Sequence, residues 1–197
     1  MARLEIGEDA LVCEESKIFS YGEHTVRIGA RTIIHPLAKI EAVSGSIEIG
    51  EGNVIEEHAI IRNSDPDSQP LQIGNGNLIE VGSFIYCLQI GDYNVFKPRS
   101  CVDLGARISS GCLIGSTVHV QAGAQIADNS VLFRLGDDKE SYGVHTPANN
   151  TSRNRHHVEL YRSVLADPKK KSFVGKHHKV QRSKELPVSA LEEQKEG

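Results

Sequence analysis

The sequence predicts an all-β solenoid, a triangular parallel β-helix built of six-residue repeats, with a carboxyl-terminal α-helix and a flexible tail. Three observations carry this expectation. First, Ile90, Phe96, Val102, Ile108, Ile114, Val120, Ile126 and Leu132 follow one another at six-residue steps, a period that neither an α-helix nor a single strand produces. A fixed short period is the sequence mark of a stacked solenoid, and one inward aliphatic residue per six makes each hexad a third of a turn. Second, the same beat extends backwards almost to the amino end. Third, the chain has no tryptophan and only five phenylalanines and five tyrosines among 197 residues, which suits an interior too narrow for large rings.

Taken in order, three hexads make one coil. Ile6, Ile28, Ile49, Ile73, Ile90, Ile108 and Ile126 form the column of a first face. Val12, Ile34, Ile55, Ile79, Phe96, Ile114 and Leu132 form the second, and Ile18, Ile40, Ile61, Ile85, Val102 and Val120 the third. The fifth residue of each hexad is usually small (Ala38, Ala59, Ser83, Ser100, Ala106 and others), as a second inward side chain two residues before the next aliphatic must be. Asn53, Asn77 and Asn94 share one column and read as a stacked amide ladder. Insertions interrupt the beat at one corner only, around Phe19 to Arg27, Glu41 to Glu48 and Arg62 to Gln72. These excursions are expected to project from one edge. That edge is either a binding side, as in many solenoids, or tolerated surface variation, because longer loops cost little extra.

After Leu132 the beat stops. Residues 1–135 are expected to form the β-helix, 136–150 a connecting loop, 151–167 a helix on or near the β-helix, and 168–197 a basic, mobile tail. Thr151 and Ser152 are suited to cap the helix, and Val158, Tyr161, Val164 and Leu165 would give it an apolar face. Lys169 to Lys184 holds seven basic residues and no acidic one. With so few interleaved aromatics it reads as a solvated tail, and no nucleic-acid partner is expected. Cys13, Cys87, Cys101 and Cys112 form no CxxC pair and are expected to be reduced thiols. With no long apolar run, no membrane insertion is expected, and the chain is placed in the cytoplasm.

The hexads Ile28 to Ile33, Ile49 to Val54, Ile73 to Leu78 and Ile90 to Val95 resemble the hexapeptide-repeat proteins, which implies a left-handed helix. More narrowly, Arg31 to Pro36, Gly50 to Glu57, Ile79 to Gly82 and Ser110 to Gly115 resemble the dynactin subunit six family. The resemblance implies a non-enzymatic, cytoskeleton-associated subunit of the dynactin pointed-end subcomplex, which would help cap the actin-like filament and select cargo for dynein-driven transport. It implies as partners dynactin subunit five (a second β-helix), the zinc-rich pointed-end subunit and the pointed-end actin-related protein.

The alternative is a homotrimeric enzyme of the same fold, an acyltransferase or a γ-class carbonic anhydrase relative. Zinc held by three imidazoles needs histidines at matched heights, whereas His35, His58 and His119 lie in different coils. His24 is the lone histidine of the insertions and reads as an ordinary loop residue. No catalytic residue, metal or cofactor is therefore expected.

The register offers a binding surface instead. Leu11, Ile33, Val54, Leu78, Val95, Leu113 and Val131 each precede a second-face inward residue and should point outward, yet all seven are aliphatic. Arg107 and Gln125, the corresponding first-face positions, are polar. An exposed aliphatic strip of this length marks an interface or a covered surface. At ~4.8 Å per coil it would run about 29 Å, against about 22 Å for a helix over 152–166. Helix and partner are thus expected to share it. His35, Glu56, Glu80 and Lys97, one past each second-face residue, would stack as its polar border, with Lys97 and His35 bracketing the two carboxylates.

Overall fold

A computed structural model describes residues 3–65, 67, 69–135, 142–145 and 150–165; within these, nothing rests on the side chains of Asn150, Tyr161, Val164 and Leu165. The expected tail and most of the expected connecting loop lie outside the described residues. Among those described, the strands form three sheets of seven, eight and six, one per face of the triangle. Pairing within the three faces is parallel except at the last strand of the second.

The strand register follows the hexad columns. Ile6 pairs with Ile28, Ile28 with Ile49, and the column continues through Ile73, Ile90 and Ile108 to Ile126. The second column runs in step from Val12 to Leu132, and the third from Ile18 to Val120. These side chains form one continuous core, with Ile34, Ile55, Ile79, Phe96 and Ile114 sealed from solvent. The small fifth positions Thr32, Ala38, Ala59, Ser83, Ser100 and Ala106 are fully buried beside them.

Each coil turns through residues in the left-handed region. At the first corner the fourth hexad position, Asp9, Arg31, Gly52, Gly76, Tyr93, Gly111 and Asn129, has φ from 54° to 71° in every coil. Leu37, His58, Gly82, Arg99 and Thr117 do the same at the second corner. For side chains such as Leu37 and Tyr93 this conformation costs on the order of 1–2 kcal/mol, and the paired coils above and below hold it.

The asparagine column is an amide ladder. Asn53 Oδ1 accepts from both the backbone N–H (2.8 Å) and the side-chain amide (3.0 Å) of Asn77. Asn77 Oδ1 does the same for Asn94, and Asn94 Oδ1 accepts the Cys112 N–H at 2.7 Å. The Asn53 amide is in turn spent on the carbonyls of Gly50 and Gly74. All three amides are fully buried, so each rung satisfies groups that would otherwise lack water.

Two expectations change. The insertions largely fail to project, because they lengthen the strands on either side of the corner to Lys17–Ser20, Thr25–Ile28, Lys39–Ala42, Ile47–Ile49, Ile60–Asn63 and Leu71–Ile73. Val26, Ile47 and Leu71 stack inward as an added core column, and Ala42 and Asn63 stack opposite them. Asn63 Nδ2 ties the remaining turn by donating to the carbonyls of Ser46 (2.9 Å) and Gln69 (2.7 Å). The segment expected as a plain loop after residue 135 also contains a strand, Tyr142–His145, which pairs antiparallel with Val131–Arg134 and lays Gly143 against the Phe133 ring.

This core makes a direct prediction. Ile114→Ala and Leu71→Ala should each cost about 2–5 kcal/mol in urea titration by opening a cavity, whereas Leu160→Ala, on the exposed side of the helix, should change stability by less than about 0.5 kcal/mol. Equal small losses at all three would contradict the added core column.

Candidate partner interface

The aliphatic strip does face away from the main core, and three of its members form a second, separate apolar cluster. Val54, Leu78 and Val95 are each fully buried against Val158 of the helix, with Leu113 packed at the edge. The helix spans Asn150–Leu165, about 24 Å at 1.5 Å per residue. It lies along the first corner and the adjoining second face, running back towards the amino-terminal coils.

Its placement follows from a few side chains. Asn129, in the left-handed corner position of the last coil, accepts the Thr151 N–H through Oδ1 at 2.9 Å, so the body supplies the helix cap. Asn154, almost wholly buried, donates its amide to three carbonyls, those of Tyr93 (3.1 Å), Gly111 (3.2 Å) and Cys112 (2.9 Å). Arg155 lies over the Tyr93 ring at 4.3 Å. Four residues beyond Asn154, Val158 enters the aliphatic cluster, and Arg162 ends the run at the Arg31 carbonyl, 3.3 Å away. Gly111 suits its corner twice over: its φ of 71° is left-handed, where glycine is unstrained, and a Cβ there would collide with the Thr151 hydroxyl.

The expected sharing of the strip is thereby corrected in detail. Val54, Leu78 and Val95 are closed by the chain's own helix, and Ile33 is also buried. Only its ends, Leu11 on one side and Leu113 and Val131 on the other, keep partial exposure. The expected border changes too. His35 and Glu56 are buried, His35 through a 3.0 Å contact of Nδ1 with Glu57 rather than Glu56. Glu56 Oε2 turns back to accept the Val81 N–H at 2.8 Å. Burial would raise the Glu57 carboxyl, but the His35 hydrogen bond, its own backbone N–H and the neighbouring imidazoles bring it below its ordinary value. Lys97 and Glu80 do pair, at 2.6 Å and partly exposed.

Sequence reasoning missed the apolar surface beside Val131. Phe133 and Leu135, on and next to the terminal hairpin, are exposed, and Val144, paired with the inward Leu132, is exposed on the other side of that hairpin. The alternation of Val131, Phe133 and Leu135 was the signal available. The outer first face is polar throughout, with Arg27 bridging Glu5 (2.7 Å) and Glu48 (2.8 Å). The four cysteines are free thiols, and burial raises Cys87 to about 12 and Cys112 to about 11. Among the described residues no helix is long and apolar enough to cross a membrane.

Stacked hexads, left-handed corners and a helix-sealed face define a hexapeptide-repeat left-handed β-helix protein. Two solved structures share the fold: a hexapeptide transferase family protein from Anaplasma phagocytophilum (TM-score 0.61, 14% identity, covering 82% of this chain and 96% of that one), and a Bacillus cereus protein whose acetyltransferase assignment is provisional (TM-score 0.67, 18% identity, 81% and 88%). At these identities they show the fold alone. The chain belongs to the dynactin subunit 6 family: it is 39% identical to Dynactin subunit 6 of Danio rerio over 140 residues, covering 66% of this chain and 70% of that relative. No family model matches the sequence.

Removing the Asn154 amide should loosen the helix without unfolding the coils. Asn154→Ala should cost about 1–3 kcal/mol, because the contacts of its amide with three carbonyls are lost, and should raise binding of a hydrophobic dye as Val54, Leu78 and Val95 open. Unchanged dye binding alongside a retained β-type circular dichroism spectrum would count against the helix as their cover.

Proposed function

We propose that the chain is a non-catalytic assembly subunit of dynactin, working in the pointed-end subcomplex of a cytoplasmic, cytoskeleton-associated complex. In this reading it helps cap the actin-like filament and select cargo for dynein-driven microtubule transport. Its partners are dynactin subunit five, the zinc-rich pointed-end subunit and the pointed-end actin-related protein. The observation that carries the reading is family membership through Dynactin subunit 6 at 39% identity.

The surface supports a docking role. The open carboxyl-terminal end of the strip, Leu113 and Val131, runs into the exposed Phe133. Two-residue strands whose side chains already fill a core leave little room for a substrate cleft on that face. In this reading a second β-helix buries this apolar end, with the Glu80–Lys97 pair contributing selectivity more than affinity. Val54, Leu78 and Val95 then serve the interface indirectly, by holding the helix in place.

Phe133→Glu should weaken recovery of dynactin partners at least about tenfold in affinity purification, with thermal unfolding of the isolated chain little changed. A chain that forms a stable homotrimer by light scattering, or a Phe133→Glu variant that recovers partners at full yield, would overturn this assignment.

A further inference from the structure

The third face, which the helix leaves uncovered, carries a mixed group of metal-ligating side chains. Cys101 and Asp103 are two residues apart around the strand Cys101–Val102 and so emerge on the same outer surface. His119 stands directly beside Cys101 in the next coil, paired in parallel register. His119 Nε2 lies 2.8 Å from Asp103 Oδ2, and Cys101 Sγ lies 3.7 Å from Asp103 Oδ1. The three ligand atoms all fall within 4.8 Å of one another, the one such group of three among the described residues.

We propose that Cys101, Asp103 and His119 form a binding site for a borderline divalent cation of the zinc class. The ligand types select this class: thiolate with imidazole suits zinc and cobalt and disfavours magnesium and calcium, which take oxygen ligands. The geometry fits as well. Tetrahedral zinc at about 2.3 Å from sulfur and about 2.0–2.2 Å from nitrogen or oxygen holds its ligand atoms roughly 3.3–3.7 Å apart. The two contacts reach different oxygens of Asp103, Oδ1 for the sulfur and Oδ2 for the imidazole; the sulfur–oxygen separation already lies in that range, and the imidazole–carboxylate separation must open by about half an ångström, so that one carboxylate oxygen can serve both neighbours. Both of those side chains are about one-third exposed, at 33% and 37%, so a small rotation supplies it. His119 sits on a strand paired with Cys101–Val102, and the Asp103 N–H donates to the Val120 carbonyl at 3.0 Å, so neither backbone need move.

Three protein ligands leave a fourth vertex open to solvent, which water or a partner's side chain can fill. Burial and the adjacent Asp103 hold the Cys101 thiol up at about 11, so at neutral pH the cation must displace the thiol proton to solvent as it binds. The site would act as a clip. The strand His119–Val120 is the edge of its sheet, with one neighbour only among the described residues, and a cation shared with Cys101 and Asp103 would tie the last third-face strand to the coil before it. This inference stands on the third-face geometry and does not depend on the proposed assembly role.

Cobalt reports on it directly. Adding Co(II) to the chelator-treated full chain should produce thiolate-to-cobalt charge-transfer absorption and the intense visible bands of four-coordinate cobalt, and zinc should abolish both. Cys101→Ser should remove the charge-transfer absorption, and His119→Ala should weaken cobalt binding at least about tenfold, while circular dichroism shows both variants folded. These substitutions lie on the outer surface, so the coils need not repack. Absence of the charge-transfer absorption in the folded chain with excess cobalt, its persistence in Cys101→Ser, or unchanged binding in His119→Ala would each overturn the site.

Discussion

A triangular coil has room inside for one large aliphatic side chain per face and little more. That constraint governs the rest of the structure. The position two residues earlier also points inward, so it must be small, and Ala38, Ala59, Ser83 and Ala106 occupy it. Where that position is Asn53, Asn77 or Asn94, the amide is deep in a region without water and must find every partner in the adjoining coils. Fully satisfied, such a column fixes register, because a one-residue slip would break each rung and turn the aliphatic columns outward. The corners answer to the same limit: a left-handed residue at one fixed hexad position turns the chain onto the next face within two or three residues, whether it is Gly111 or the costlier Tyr93.

The parts of this fold that depend on local spacing were legible in the sequence. All three inward columns and the asparagine ladder could be read from hexads alone, since each coil repeats the same environment. The corner insertions were misread because counting stopped at the hexad aliphatics. Val26, Ile47 and Leu71 stand two residues before Ile28, Ile49 and Ile73, and the strand period was enough to place them inward. The outward direction of the aliphatic strip was likewise legible, but its closure was not. Asn154 reaches carbonyls 42 to 61 residues away, and no periodicity links such positions. His35 and Glu56 show a related limit. At a corner, a neighbouring carboxylate one residue along, Glu57, captured the imidazole.

Helix and strip depend on each other. A 16-residue helix with a mostly polar sequence is marginal alone, so its order comes from the cap on Asn129, the triple anchor of Asn154, the Arg155–Tyr93 stack and the entry of Val158 into the apolar cluster. The strip, for its part, would leave a row of aliphatic side chains in water if the helix left. Hydrophobic burial supplies the attraction, and the asparagine contacts supply direction, since Val158 alone would pack acceptably at several heights along a uniform row of Val and Leu. Gly52 and Gly111 at the first corner let the helix approach closely enough for both.

The three faces therefore present different chemistry to a partner. The first offers a column of exposed ion pairs, each contributing little to stability and more to the choice of partner. The second is occupied along its middle, and a partner competing there would have to break the Asn154 anchor as well as replace Val158. Addition at the hairpin end demands neither, because Phe133 is already exposed beside the half-buried Val131. The third face mixes Phe84, the Arg62–Tyr86 contact and the Cys101, Asp103 and His119 group. Here Arg62 is also held by Glu41 at 2.6 Å, which keeps its guanidinium positioned over the ring. A rigid solenoid gains specificity from such division, since each face is fixed by the same inward columns yet free to vary outward.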